Sequence, residues 1–322
     1  MTILARIDPL VRLILAAILL ATVLPVTGPA LPVAQAIANA AVFMLFLFYG
    51  MRLSRTEVWA GLGNHRLLLP LVLWIFGAMT AAGWLAWQAS AVFLPPAMAL
   101  GFLYLGVLPS TVQSATVYSS LAGGNVAGSV VAAALVNILA VFVSAPLFSL
   151  LAGGQALVFS GDTLVKVLVI LLLPFALGQA SQRLTSGWVA RNRGLIARLD
   201  RAVIGLGVYV AFSGAVEQGI WGQLGPLVWP VLTVVCAALL LFAYGGAWVL
   251  GGALGLGRED RITMLFAGGQ KSIAMGAPLA TVLFPAAMAG TILLPLLLYH
   301  LAQMVLAAPM AVRLRDRRSG AA

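Results

Sequence analysis

The sequence predicts an all-α membrane protein: ten transmembrane helices in two inverted five-helix repeats, with helices 4 and 9 discontinuous. Three observations carry this expectation. The 322 residues are 62% hydrophobic and only 8% charged, whereas soluble domains carry about 25% charged residues. Ten apolar runs reach the roughly 20 residues that a bilayer core requires. And two of those runs, five apart in order, are interrupted by polar, glycine- or proline-containing segments.

The runs lie near 9–27, 31–51, 67–87, 93–121, 126–152, 163–183, 202–222, 226–254, 262–284 and 287–312. The arginines check the count. Arg6 and Arg12 lie at the start of span 1, and Arg52, Arg55 and Arg66 lie between spans 2 and 3. Arg183, Arg191, Arg193, Arg198 and Arg201 lie between spans 6 and 7, and Arg258 and Arg261 between spans 8 and 9. Arg313, Arg315, Arg317 and Arg318 follow span 10. The intervening connections hold no arginine. Positively charged loops stay in the cytoplasm, so a multi-pass protein of a bacterial inner membrane is expected, with both termini cytoplasmic. The net charge of +10 then orients the chain in the bilayer and needs no nucleic-acid partner. The first apolar run is too continuous for a cleavable leader. A single cysteine, Cys236, leaves no disulfide framework and no cysteine-based metal site.

Five spans per half force the second half to enter the membrane from the opposite side, which makes the repeat inverted. Spans 4 and 9 then correspond, under a shift of about 155 residues that brings Gln113 near Gly268. Span 4 contains Leu108-Pro109-Ser110-Thr111-Val112-Gln113-Ser114-Ala115-Thr116, and span 9 contains Ala267-Gly268-Gly269-Gln270-Lys271-Ser272. Pro109 removes an amide donor and clashes with the preceding turn, and the glycines lower the cost of unwinding. Matched breaks in corresponding helices point to a binding site, where exposed amides favour anions and exposed carbonyls favour cations.

Lys271 is the most telling residue. A charge at the centre of a membrane helix costs about 2.5–3.5 kcal/mol on insertion scales, so it is kept where it faces a cavity or a partner. Ser110, Thr111, Gln113, Ser114, Thr116, Gly269, Gln270 and Ser272 surround it in the two broken segments as candidate ligands for a substrate or ion. The Gly123-Gly124-Asn125 turn folds span 5 back on span 4, and Ser129, Ala133 and Asn137 share one stripe of span 5. Ser129 and Asn137 are therefore candidates too, with interhelical hydrogen bonding as the alternative. Tyr299, His300 and Gln303 lie mid-span 10, His300 being either a site residue or a packing hydrogen-bonder. Lys166, four residues after Asp162, reads as a helix-end pair. Trp74, Trp84, Trp87, Trp221 and Trp229 read as interfacial or packing residues.

No enzyme motif appears: there is no H-E-x-x-H, no phosphate-binding loop and no nucleophile elbow. The expectation is a non-enzymatic secondary transporter of a small organic anion, working by alternating access. A non-transporting membrane sensor or regulator, and a channel, are the other classes. Neither a soluble signalling domain nor an open design favours them.

Leu108 to Ser114, then Leu121-Ala122-Gly123-Gly124-Asn125-Val126, then Phe266 to Ser272 resemble the bile acid:sodium symporter family. The similarity is greatest to its atypical branch, which includes mammalian solute carrier family 10 member 7 and bacterial proteins. Val165-Lys166 through Pro174 and Gly178, and Tyr299-His300, resemble the family as well. The resemblance implies one polytopic unit over 1–322. It holds a panel of spans 1, 2, 6 and 7 (about 1–60 and 163–222), a core of spans 3–5 and 8–10 (about 61–152 and 226–313) and a cytoplasmic tail at 314–322. Helices 4 and 9 would cross at their breaks. It also implies sodium coupling and an organic anion bound between the domains. Ser114 (or neighbouring Gln113), Ser129 and Gln270 match sodium-binding positions, and no other cofactor is implied. The chain departs from the family where Phe266 replaces the acidic ligand, Phe76 a glutamine and Ala133 a hydroxyl. Sodium prefers hard oxygen ligands, so at least one site is expected to be lost. Lys271 would then supply the missing cation by bridging the crossover carbonyls or by pairing with an anionic substrate. Alternatively, its amine would carry a coupling proton.

Overall fold

The computed structural model describes residues 9–52, 64–153, 165–166 and 168–319, without the side chains of 221, 223 and 316–319. Arg6, Arg55, Asp162 and the side chains of Trp221, Arg317 and Arg318 lie outside the described residues, and with them the expected pairing of Asp162 with Lys166.

Among the described residues the secondary structure is helical, with no strand. The helices are α1 (Pro9–Val23), α2 (Ala30–Arg52), α3 (His65–Ser90), α4 (Pro96–Val107), α5 (Gln113–Leu121) and α6 (Val126–Ala152). They continue with α7 (Leu168–Arg191), α8 (Arg193–Glu217), α9 (Ile220–Gln223), α10 (Val228–Ala253), α11 (Arg258–Gly269), α12 (Ile273–Leu283) and α13 (Ala286–Ser319). One wide π turn sits in α3 at Trp74–Ala78, and another opens α7 at Leu168–Leu172. Six of these helices are long and apolar enough to cross a membrane: α2, α3, α6, α7, α10 and the Ala286–Arg315 portion of α13. Exposed leucine, valine and phenylalanine side chains along them, such as Val33, Leu73, Leu150 and Phe242, suit a lipid surround.

The chain divides into two units. The first comprises Met1–Ser54, Gly154–Gly225 and Gly276–Leu293, and the second Arg55–Gly153, Pro226–Met275 and Leu294–Ala322.

In the first unit, α1 packs along α8, and α2 packs along α7 and α8. Gly50 of α2 and Gly178 of α7 are apposed. A methyl group on either would run into the other helix's backbone, at the carbonyl oxygens of Phe175 and Leu47 respectively. Such close approach is how helices gain van der Waals contact in lipid, where no hydrophobic force drives them together. The Gln179 side-chain amide donates to the Gly50 carbonyl at 2.7 Å. At one end of α2, Arg52 grips Asp200 with N···O distances of 2.5 and 2.6 Å. At the other, the Gly28 amide donates to Glu217 at 2.8 Å.

In the second unit, α3 packs on α4, α4 on α6, and α10 on α11. Gly83 and Gly106 let α3 and α4 approach at backbone distance. Gly123 turns the chain between α5 and α6 with φ 75°, a conformation open to glycine at no steric cost. Asn125 then caps α6, its Oδ1 accepting from the Gly128 amide at 2.8 Å. The same side chain donates to Asp260 at 2.7 Å, and its backbone amide donates to the Glu259 carbonyl at 3.1 Å. The α5–α6 turn is thereby fastened to the first turn of α11, where acidic residues complement the helix dipole.

The Gly50–Gly178 contact yields a prediction. Gly178→Ala is expected to destabilise the protein by about 1–3 kcal/mol through overpacking. Gly187→Ala, on the same helix and facing open space, is expected to be neutral or slightly stabilising. Thermal denaturation of the two purified variants checks this.

Candidate functional site

Pro109 breaks the fourth apolar run. The residue before a proline is driven out of the helical region, and Leu108 is extended at φ −76°, ψ 149°. Proline has no amide to offer the preceding turn. The α4 helix therefore ends at Val107 with a set of carbonyls that need donors from elsewhere. The second interruption has no proline. Gln270 is extended at φ −95°, ψ 149°, and the chain resumes as α12 at Ile273.

The two interruptions meet. The Ser272 amide donates to the Pro109 carbonyl at 2.9 Å. Lys271, fully buried, extends its ammonium to the end of α4 and donates to the Gly106 carbonyl at 2.8 Å and the Leu108 carbonyl at 2.7 Å. The carbonyl end of a helix carries partial negative charge, so the cation sits where the backbone attracts it. Among the described residues Lys271 has no carboxylate partner. The neighbouring carbonyls are also satisfied, both from α6. Ser144 of α6 donates to Val107 at 2.7 Å, and Asn137 of α6 donates to Ser110 at 3.0 Å.

A second set of contacts holds the Lys271 backbone. The Lys271 amide donates to Gln303 Oε1 at 2.8 Å, and Gln303 Nε2 donates back to the Lys271 carbonyl at 3.0 Å. Gln303 also meets His300 Nδ1 at 2.8 Å. The Tyr299 hydroxyl donates to the Gly269 carbonyl at 2.7 Å, and the Trp74 indole N–H to the Gly268 carbonyl at 3.3 Å. Ser272 Oγ accepts from the Met275 amide at 3.2 Å, which caps α12.

The hydroxyl residues form a third set. Gln270 Oε1 accepts from Thr111 Oγ1 and from Ser114 Oγ, each at 2.5 Å, and those two hydroxyl oxygens lie 2.6 Å apart. Thr116 and Ser129 pair with each other at 3.3 Å. Ser114 and Gln270 are thus together, while the hydrogen bond of Ser129 goes to Thr116. Gln113 opens α5 with its side chain exposed, apart from this network. Ser110 Oγ is buried without a hydrogen-bond partner among the described residues, and the Tyr244 hydroxyl and the Gln270 side-chain amide are buried side by side. Phe266 is fully buried between the rings of Tyr118 and Tyr244, at centroid distances of 5.9 and 6.4 Å. Ala133 is buried, its carbonyl accepting from Asn137 at 2.8 Å.

One expectation is corrected. Gly268 and Gly269 do not unwind the chain. They are the last residues of α11, and neither has a positive φ. They are small because Trp74 packs on Gly268 and Tyr244 on Gly269, leaving no room for a Cβ. Trp74 itself is a structural partner of the break rather than an interfacial anchor. It is buried, stacks on Phe242 at 5.1 Å and donates to Gly268. Sequence reading also passed over Ser144 and Tyr244, which are a lone serine and a lone tyrosine in apolar runs and carry no pattern. Gln303 and Tyr299 were visible as polar positions beside span 9, but their aim at the break was not.

Gln303→Leu would leave the Lys271 amide and carbonyl buried without partners. A loss of about 1–3 kcal/mol per orphaned group is expected, read as a lower melting temperature of the purified protein. His300→Phe, one contact further out, is expected to cost less.

The comparisons with known proteins agree with a transport role. The profile of the SBF-like CPA transporter family (DUF4137) matches residues 8–316. An uncharacterized protein of Pseudomonas aeruginosa is 37% identical over 310 residues, 96% of this chain and 93% of the relative. The Escherichia coli K12 protein named "Putative symporter YfeH" is 36% identical over 306 residues, 95% of this chain and 92% of the relative. Sodium/bile acid cotransporter 7 of Mus musculus is 23% identical over 269 residues, 83% and 79% of the two chains. With several bilayer-length apolar helices and a family profile spanning nearly its whole length, the chain is a multi-pass membrane protein that belongs to the SBF-like CPA transporter family, relatives of the bile acid:sodium symporters.

Proposed function

We propose that this protein is a secondary active transporter of a small organic anion, in which Lys271 supplies a cation at the junction of two broken helices. The observation that carries the proposal is the pair of bonds from the Lys271 ammonium to the Gly106 and Leu108 carbonyls. An ammonium has three donors, and two are committed to the carbonyl end of α4. That is the position a mobile monovalent cation would be drawn to. With Phe266 where the family has an acidic ligand, Lys271 is the one charged side chain of the two breaks among the described residues. Membership in a transporter family, and the name symporter borne by a relative at 36% identity, support transport over catalysis.

In this reading α4 with α5, and α11 with α12, act as the two discontinuous helices of a ten-helix, inverted-repeat transporter. The broken helices and their supports move as one core against a panel built on α1, α2, α7 and α8, exposing the site alternately to each side. The arginine distribution supports cytoplasmic termini and suits a bacterial inner membrane.

A second reading has its own observation. Thr111 Oγ1, Ser114 Oγ and Gln270 Oε1 stand 2.5–2.6 Å apart and hold only two hydroxyl protons among three oxygens. Crowded neutral oxygens suit a small hard cation, so this triad, with Ser129 nearby in the sequence pattern, is the candidate for a remaining sodium ion. A proton carried by Lys271 is the rival coupling route.

Transport and ligand-induced thermal stabilisation in sodium, in potassium and across pH, for wild type, Lys271→Met and Lys271→Arg, test the proposal. Lys271→Met is expected to abolish transport and to lower stability, because two buried carbonyls lose a charged donor worth about 1.5–3 kcal/mol each. Lys271→Arg is expected to be impaired, since a planar fork does not fit a site shaped for a point charge. Wild-type behaviour in both variants overturns the role of Lys271. Stabilisation or uptake that needs sodium, and is lost in Ser114→Ala, favours the oxygen triad as a coupling site.

A further inference from the structure

The α7–α8 junction carries a cationic surface that the transport site does not use. Only Asn192 separates the two helices, and its backbone (φ −110°, ψ 21°) turns the chain. One face of this elbow is buried: Val189 and Ile196 pack on Phe48 of α2, and the Trp188 ring stacks on Phe48 at 6.3 Å. The other face exposes Arg183, Arg191, Arg193 and Arg198. None of the four makes an ion pair among the described residues. The one carboxylate of the elbow, Asp200, is taken by Arg52, with Arg201 close enough to act on it electrostatically.

Apolar side chains of the elbow are exposed among these arginines, Trp188 on the part of its ring that Phe48 leaves uncovered. Leu184 is 90% exposed, Trp188 41% and Leu195 42%. In water four unpaired guanidiniums need no partner, but these apolar groups among them would be costly there. Exposed apolar side chains, a half-exposed tryptophan and arginines interleaved along one short stretch of chain suit the membrane–water boundary. Phosphate is the group that arginines meet at that depth, and the fork of a guanidinium matches its oxygens.

We infer that the α7–α8 elbow is a binding site for the headgroup of an anionic phospholipid, with Arg183, Arg191, Arg193 and Arg198 meeting its phosphate and Leu184, Trp188 and Leu195 lying along its acyl chains. The inference is independent of the transport site, since none of these residues belongs to it. It also goes beyond orientation in the bilayer. Arginines that only fix topology act during insertion and have no lipid preference afterwards.

The purified full-length protein in nanodiscs of phosphatidylcholine alone, or of phosphatidylcholine with phosphatidylglycerol, provides the test. Native mass spectrometry reads the lipid retained, and thermal denaturation reads the stabilisation. Wild type is expected to retain phosphatidylglycerol in preference to phosphatidylcholine, and to melt higher in its presence, by a margin that shrinks as salt rises. In the Arg183→Gln, Arg191→Gln, Arg193→Gln, Arg198→Gln variant the preference is expected to fall roughly fivefold per guanidinium removed. The control Arg313→Gln, Arg315→Gln variant is expected to keep it. Equal retention of the two lipids by wild type overturns the inference without recourse to any variant. So does an equal loss in the control, which would assign the preference to overall charge.

Discussion

An ammonium group inside the membrane is tolerable only if something there answers its charge. In this protein the answer is not a carboxylate but the unpaired end of a helix. Pro109 ends α4 and strips its last carbonyls of amide donors, and Lys271 reaches across from the break between α11 and α12 to take two of them. Each side of this arrangement removes the penalty of the other. The buried carbonyls would otherwise cost free energy as orphaned acceptors, and the buried cation would cost several kcal/mol without a partner. Taking either side away leaves the other exposed to its full penalty.

From that pair the rest of the site can be followed outward. For Nζ to reach Gly106 and Leu108, the Lys271 backbone must leave the helix and be held off-axis. Gln303 does this by closing both of its backbone groups. Ser272 completes the junction, its amide binding Pro109 and its hydroxyl capping α12. The close approach of Trp74 and Tyr244 to the end of α11 requires Gly268 and Gly269. A polar network in a low-dielectric setting is worth most when every member is satisfied. Among the described residues the unpartnered exception here is Ser110 Oγ.

The first unit is held by different means. Gly50 and Gly178 bring α2 and α7 to backbone contact, charged side chains bond at the helix ends (Arg52 with Asp200, and Glu217 with the Gly28 amide), and Gln35 and Gln179 add bonds along the helices. Small residues inside and charges at the ends are what lipid permits. The second unit spends its buried polar groups at mid-helix, around the breaks.

How much of this the sequence contained depends on how local the cause is. Apolar length and composition are properties of the chain, so a helical membrane protein is legible directly. The interruption at Pro109 is equally local, because a missing amide and a ring clash act on neighbouring residues whatever the surroundings. Lys271 announces itself by its cost. The second interruption is different. No proline marks it, its glycines are helical, and what keeps Gln270 extended is Gln303, Pro109 and Ser272, residues 33 or more positions away in two of the three cases. Which carbonyls Lys271 binds, why Trp74 is inside, and that Ser129 turns to Thr116 while Ser114 turns to Gln270 were decided only when the helices packed. Hydrogen bonds between distant segments leave no periodicity or spacing in a sequence; they exist only once the chain has brought their two ends together.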